Sequence, residues 1–140
     1  MPMNRRFVLA TALGALLWPI VAPGRALALG VDRPSGSDLA RALVATLRRP
    51  DSAAAVGRAY LARFPAEALS VRLVEGIREG LARDGFDPVV PTGRPAELRS
   101  RLGKRVRRDF AEGRVVAVDG WVLAATEARL FALAALRRGG

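Results

Sequence analysis

Three carboxylates near the C-terminus, Asp109, Glu112 and Asp119, have the greatest potential for chemistry in this 140-residue sequence. Paired carboxylates catalyse hydrolysis when their surroundings push their pKa values apart. Asp109 and Glu112, however, lie three positions apart on a predicted helix among arginines, a spacing that ordinary surface ion pairing also explains. Asp119 precedes Gly120, so a tight turn already accounts for it. A hydrolase stays an alternative, and we expect no catalytic residue.

The chain contains no cysteine and no histidine. This composition excludes disulfides, thiol nucleophiles, thiolate metal sites and the usual proton shuttle and zinc ligand. No glycine-rich phosphate loop has the required spacing. We therefore expect no metal site and no cofactor.

A second feature with chemical potential is a dense group of cations on the predicted helix that ends near residue 110. The whole chain carries 23 basic and 13 acidic residues, a formal net charge of +10. No acidic residue separates the cations of this group, and like charges at helical spacing repel one another. A solvated helix face explains the group, and so does an anionic partner. The candidate partner-binding residues are Arg99, Arg101, Lys104, Arg105, Arg107 and Arg108.

Trp121 is the remaining candidate for partner binding. Exposed tryptophans are common at binding hot spots. A tryptophan opposite a valine on a short hairpin, however, is more often part of the core. We expect core packing, with a sugar-stacking platform or an interface anchor as the alternatives.

The N-terminus has the layout of a cleavable export signal. Arg5 and Arg6 precede an uncharged run of 18 residues, and the small residues Ala26 and Ala28 follow it. A retained transmembrane helix is the alternative, because about 20 apolar residues cross a bilayer. Pro19 breaks that helix, so we expect cleavage after Ala28, a periplasmic product and no retained transmembrane helix.

The stretch "NRRFVLA" resembles the twin-arginine export motif, through Asn4, Arg5, Arg6 and Leu9. Val8 stands where that motif has an aromatic residue, so the general secretory route stays open. The resemblance implies that the export machinery carries the protein in a folded state.

The segment "DFAEGRVVAVDGWVLAATEARLFALAAL" is similar to the C-terminal part of small bacterial exported proteins with a Gly-Trp-Val-Leu, Thr-Glu-Ala-Arg pattern. Ala124 stands where that pattern has serine. The similarity implies an exported family and no particular reaction. The matching residues are Asp109, Gly113, Val118, Asp119, Gly120, Trp121, Val122, Leu123, Thr126, Glu127, Ala128, Arg129 and Leu130.

The elements that must position these residues follow from hydrophobic spacing. Helical patterns start at the cap Ser37-Asp38, at the cap Asp51-Ser52 and at Pro65, and together they predict three helices within residues 37–85. Residues 86–95 contain three prolines and form a linker. Pro95 starts a fourth helix, whose predicted apolar face is Leu98, Leu102, Val106 and Phe110.

A β-hairpin is predicted after the fourth helix. Asp119-Gly120 suits a type I′ turn, and this register pairs Val118 with Trp121 and Val116 with Leu123. Thr126 then caps the last helix. The predicted fold is therefore mainly α, a small bundle of about five helices with one short hairpin between the last two.

The predicted organisation is a signal at 1–28, a flexible segment at 29–36 and one small domain at 37–140, in which 96–140 is a helix-hairpin-helix module. Without residues 1–28 the chain still has 20 basic and 13 acidic residues. Because the periplasm lacks chromosomal DNA, we do not expect nucleic acid as the partner. We expect an exported non-catalytic accessory subunit that binds an acidic protein, for instance a periplasmic oxidoreductase. The alternative is an envelope-binding module that uses the basic helix on anionic lipid or polymer.

Overall fold

The computed structural model describes residues 36–88 and 94–139. The predicted export signal, nearly all of the segment 29–36 and the centre of the linker lie outside these residues. Within the described part, every helix is too short or too polar to cross a membrane.

The fold is mainly helical, with a two-stranded antiparallel hairpin between the last two helices, which confirms the predicted fold class. The order of elements along the chain is α1 (Gly36–Ala45), α2 (Pro50–Arg63), a 3₁₀ turn (Pro65–Glu67), α3 (Ser70–Arg83), α4 (Pro95–Ala111), β1 (Val115–Val118), β2 (Trp121–Ala124) and α5 (Ala125–Arg138).

Helix α5 forms the centre of the domain and packs against all four other helices. Its buried side is rich in alanine, and the facing side of α2 carries Ala53, Ala54 and Gly57. These small residues let the two backbones approach closely. At Gly57 the approach is so close that an added Cβ would overlap the carbonyl oxygen of Phe131.

Three predicted helix starts were wrong by one or a few residues. Helix α1 already includes Gly36, so Ser37 lies inside the helix and is not its cap. Pro65 begins only a 3₁₀ turn, and α3 starts at Ser70 after an extended Leu69. Leu69 is consequently exposed and does not join the core. Helix α2 begins at Pro50, which suits the first turn because a missing N–H costs nothing there, so Asp51 lies inside the helix and is not its cap.

The predicted apolar face of α4 was correct for its first half and wrong for its second half. Leu98 and Leu102 are buried, but Phe110 is exposed, and the buried stripe continues through Arg105 and Asp109. With 3.6 residues per turn, side chains spaced strictly four residues apart move around the helix by about 40° at each step. Spacings of four, three and four residues, as from 98 to 102, 105 and 109, keep the side chains on one side. Two charged residues therefore face the core.

The hairpin was predicted correctly. Asp119 and Gly120 have φ angles of 47° and 82°, the positive values that a type I′ turn requires. Val118 pairs with Trp121, and Val116 pairs with Leu123.

The contact at Gly57 leads to a prediction about stability. Gly57→Ala should lower the free energy of unfolding by about 1–3 kcal/mol, because α2 and α5 must separate to accommodate the methyl group. Gly103→Ala in α4 is the matched control, since the nearest atom to its added Cβ is the Arg107 Nη1 at 3.9 Å. That control should gain up to about 1 kcal/mol from helix propensity. Urea denaturation measures both, and equal effects of the two variants would contradict the packing described.

Candidate functional site

A buried ion-pair cluster joins the ends of three helices to the start of the hairpin. Its centre is Arg105, whose side chain is only 2% exposed. The Arg105 guanidinium donates through Nε to Asp109 Oδ1 at 3.0 Å and through Nη1 to Asp84 Oδ1 at 2.7 Å. A longer contact of 3.5 Å runs from Nη2 to Glu112 Oε2. Because Asp84 ends α3 and Asp109 lies in the last turns of α4, this arginine connects the two helices.

Two further arginines complete the cluster and balance its charge. Arg108 Nη1 donates to Asp84 Oδ1 at 2.6 Å, and Arg114 Nε donates to Asp109 Oδ1 at 3.1 Å. Arg114 also pairs with Glu112. Three cations thus meet three carboxylates. Arg105 and Asp109 are buried and need such partners, whereas Arg108 and Glu112 lie at the exposed rim of the cluster.

Asp109, which lies in α4, also caps the N-terminus of the central helix α5. Its Oδ2 accepts a hydrogen bond of 3.0 Å from the backbone N–H of Thr126, in the first turn of α5. Burial alone would raise the pKa of Asp109, but hydrogen bonds from Thr126 and Arg114 and the charge of Arg105 outweigh it, and the pKa lies below its ordinary value. The Asp109 carboxylate therefore stays negatively charged beside the first turn of α5. The partial positive charge of the helix N-terminus favours a negative charge at that place.

This arrangement corrects the prediction that Thr126 caps α5. The cap position is Ala124, and the backbone N–H of Thr126 is bound by Asp109. Glu127 accepts a hydrogen bond from the backbone N–H of Ala124, which is one half of a capping box. Burial raises the pKa of Glu127 above its ordinary value, with the Ala124 hydrogen bond acting against that rise.

The three carboxylates considered for hydrolysis do not form a shared site. Asp109 is buried and held ionised by arginines, which makes it a poor proton donor, and Glu112 pairs with Arg114 at the rim. Asp119 lies apart on the exposed hairpin turn. The geometry thus assigns the first two to the ion-pair cluster and the third to the turn.

A second polar cluster, formed by Tyr60, Glu67 and Arg129, was not foreseen. The Tyr60 hydroxyl donates to Glu67 Oε2 at 2.6 Å, and Arg129 Nε donates to the same oxygen at 3.2 Å. Burial and the neighbouring carboxylate raise the pKa of Tyr60 far above its ordinary value. Burial would raise the pKa of Glu67, yet its two donors hold it below the ordinary value. The cluster fastens the 3₁₀ turn to α5.

The six basic candidates of α4 separate into three groups. Arg105 is buried in the ion-pair cluster, so its prediction as a partner-binding residue is wrong, because α4 turns it toward the core. Three others make contacts within the domain: Arg99 Nε donates to Thr46 O at 3.2 Å, Arg101 pairs with Glu97 and lies over Phe86, and Arg108 binds Asp84. In the part of the chain that the structure describes, Lys104 and Arg107 are exposed and make no ion pair or hydrogen bond.

Trp121 is 64% exposed, so the expectation that it packs in the core was wrong. Its cross-strand partner Val118 is 2% exposed on the same face of the hairpin. The helices cover Val118 but not the indole beside the turn. The alternative, an exposed aromatic available to a partner, agrees with this position.

Two small depressions are lined by described residues. A cleft between α3 and α4, near Asp84 and Lys104, has a volume of about 110 Å³. A more apolar depression of about 280 Å³ lies near Ala40 and Val71. Ligand pockets usually have about 300–1,000 Å³. Within residues 36–88 and 94–139, no group of three metal-ligating side chains is brought together.

Comparisons with known proteins identify no relative of this chain. No family model, no curated protein and no solved structure matches it.

The low pKa of Asp109 leads to a prediction about acid stability. Asp109→Asn should lower the free energy of unfolding at pH 7 by about 3 kcal/mol, because Arg105 would lose a buried counter-charge. The pKa of Asp109 lies lower in the folded chain than its ordinary value of 3.8, so its contribution is complete above about pH 4 and disappears as the pH falls through the folded pKa. Urea denaturation at pH 7 and pH 3 should therefore show a smaller difference from wild type at pH 3.

The matched control for this experiment is Asp119→Asn, because asparagine tolerates the same positive φ on the exposed turn. It should change the free energy of unfolding by less than about 0.5 kcal/mol. An Asp109→Asn variant as stable as the control would contradict the role given to the cluster.

Proposed function

We propose that this chain is an exported, non-catalytic protein that binds an acidic partner protein as a small accessory subunit. The partner class that fits best is a large periplasmic oxidoreductase. Support for export comes from the N-terminal resemblance to twin-arginine leaders, which carry folded cargo. Support for a binding role comes from the distribution of charge over the described residues.

The proposal rests mainly on how the cations are distributed: some pair with carboxylates within the domain, and the others lie unpaired on its surface. The carboxylates of Asp84 and Asp109, which have little exposure, are neutralised within the domain by Arg105 and its neighbours, and the half-buried Glu67 is neutralised by Arg129. The described residues include 19 basic and 12 acidic side chains. The excess positive charge therefore lies mainly on the surface, where it attracts an anionic partner.

Part of this excess lies on α4 and on the segment that follows α1. The hydrogen bond from Arg99 Nε to Thr46 O joins α4 to the end of α1, immediately before Arg48 and Arg49. These two arginines are exposed and, among the described residues, make no ion pair or hydrogen bond. We refer to these two arginines together with Lys104 and Arg107, which are exposed on α4, as the basic surface.

The leader and the composition of the chain favour a role in binding a protein over a role in catalysis. A leader of the twin-arginine type implies a cargo that folds, and can assemble, before transport. The chain has neither cysteine nor histidine, and its buried acids are engaged in structural pairs. A small basic subunit transported with a larger enzyme fits these features.

The basic surface also supports a second candidate function, attachment to anionic lipid or polymer of the cell envelope. Lys104 and Arg107 are exposed and unpaired within the described part, as headgroup contacts require. Purification of the protein from the periplasm separates the two candidate functions, because a soluble acidic protein and a lipid surface are recovered in different fractions.

We expect the tagged protein, purified from the periplasm and beginning at Leu29, to retain one acidic protein in a constant molar ratio. Raising the salt concentration should weaken this complex, because screening reduces attraction between exposed charges. Arg107→Glu should lower the affinity of the purified complex at least about tenfold, since it places like charges at the interface. The matched control Arg58→Glu makes the same change of charge on an exposed part of α2.

Three outcomes would contradict this proposal. The first is recovery of the full-length chain in the cytoplasm, and the second is a periplasmic protein without any partner in constant ratio. The third is sedimentation with phosphatidylglycerol vesicles that Arg107→Glu abolishes, which would favour the envelope function.

A further inference from the structure

The cleft between α3 and α4, which we call the cationic cleft, brings three positively charged side chains to one place. Three of its residues come from α4, and the others come from the end of α3 and the turn after it. The lining consists of Leu81, Asp84, Phe86, Arg101, Lys104 and Arg108. It therefore carries three cations and one carboxylate.

The three cations reach the same cleft because of their spacing along α4. Positions 101, 104 and 108 are separated by three and four residues, the spacing that places side chains on one side of a helix. Like charges at this spacing repel one another. An anion bound between them would relieve that repulsion.

Two of the three cations are held in place by residues on the α3 side of the cleft. Arg108 Nη1 donates to Asp84 Oδ1 at 2.6 Å, and the Arg101 guanidinium carbon lies 5.0 Å from the centre of the Phe86 ring. Lys104, in the part of the chain that the structure describes, makes no ion pair or hydrogen bond. The cleft thus combines two positioned guanidinium groups with an ammonium group that is available to a ligand.

The acids near the cleft do not cancel its positive charge. Asp84 belongs to the ion-pair cluster, in which three carboxylates balance three cations, Arg108 among them. Arg101 and Lys104 lie outside that cluster. Glu97 contacts Arg101 at 3.7 Å, but both side chains are at least 40% exposed, and ion pairs of this kind are weak. The excess positive charge therefore lies at the cleft itself.

The size and the walls of the cleft suit a single anionic group. Its volume of about 110 Å³ is well below the roughly 300–1,000 Å³ of pockets that enclose a whole drug-sized ligand. Leu81 in the lining is fully buried, so part of the wall is apolar. Apolar walls beside charges of one sign strengthen the field that acts on a bound anion.

We propose that the cationic cleft binds the phosphate group of inorganic phosphate or of a phosphate monoester. Guanidinium groups bind phosphate through two parallel hydrogen bonds, and an ammonium group adds a point charge. Three cations donate in different directions, which matches a tetrahedral dianion better than a planar carboxylate with two oxygens. This site is additional to the proposed partner interface and does not depend on it.

Isothermal titration calorimetry of the full-length chain with sodium phosphate tests the proposal. The titration is made at about pH 8, where a phosphate group is mainly a dianion, and sodium chloride keeps the ionic strength constant. We expect saturable binding of one phosphate per chain. Lys104→Gln should weaken that binding at least about tenfold, because it removes a charge-assisted hydrogen bond. Lys104→Arg should retain it.

The matched control is Arg83→Gln, which removes one exposed cation at the end of α3, next to Asp84 but outside the lining. The control should bind phosphate almost as tightly as the wild type. Far-ultraviolet circular dichroism establishes that the variants are folded. An equal loss of affinity in Lys104→Gln and Arg83→Gln would show attraction by overall charge and overturn the proposal. Absence of saturable binding up to about 10 mM phosphate would also overturn it.

Two further arms identify the chemistry and the source of the anion. Sodium acetate, titrated at the same ionic strength, should bind at least about tenfold more weakly than phosphate. Equal affinity for acetate would assign the cleft to a carboxylate and overturn the proposal.

The second arm uses phosphatidylcholine vesicles with and without phosphatidic acid, whose headgroup is a phosphate monoester. Sedimentation with phosphatidic acid that Lys104→Gln abolishes and Arg83→Gln retains would identify a lipid headgroup as the source. Calorimetric binding of phosphate without sedimentation would identify a soluble phosphate compound. The proposed function is tested at Arg107 and this inference at Lys104, so either can fail while the other stands.

Discussion

The burial of one guanidinium constrains the whole C-terminal half of this protein. Arg105 faces the core of the bundle with 2% of its side chain exposed, and an unpaired cation there would be strongly unfavourable. Its counter-charges come from the end of α3 and from α4 itself. The same Asp109 carboxylate binds the first turn of α5, so one charge pair sets the relative positions of three helices.

This constraint determines which residues remain for function. Of the acids that looked suitable for catalysis, Asp109 and Glu112 are engaged in the ion-pair cluster and Asp119 forms the hairpin turn, while Arg105 of the basic helix is buried in the interior. What remains on the surface is an excess of positive charge around Arg107 and an apolar hairpin end around Trp121. Electrostatic attraction and apolar contact are complementary requirements of a protein interface.

Local signals in the sequence predicted the elements well and their contacts less well. Asp119-Gly120 and Pro95 act through their own backbone preferences, so the turn and the start of α4 were predictable. The burial of Arg105 depends on Asp84, 21 residues earlier, and a single sequence does not show that the two meet. A 3.6-residue period along α4 would have placed Arg105 on the buried side. The exposure of Trp121 depends on how far the helices extend beneath the hairpin, which no local pattern encodes.

A double-mutant cycle on Arg105 and Asp109 tests the central claim most directly. Free energies of unfolding would be measured for the wild type, Arg105→Met, Asp109→Asn and the double variant. The account predicts that the two effects are strongly non-additive, with a coupling of about 2 kcal/mol, because each single change leaves the other charge buried with one counter-charge fewer. Additivity within about 0.5 kcal/mol would contradict it.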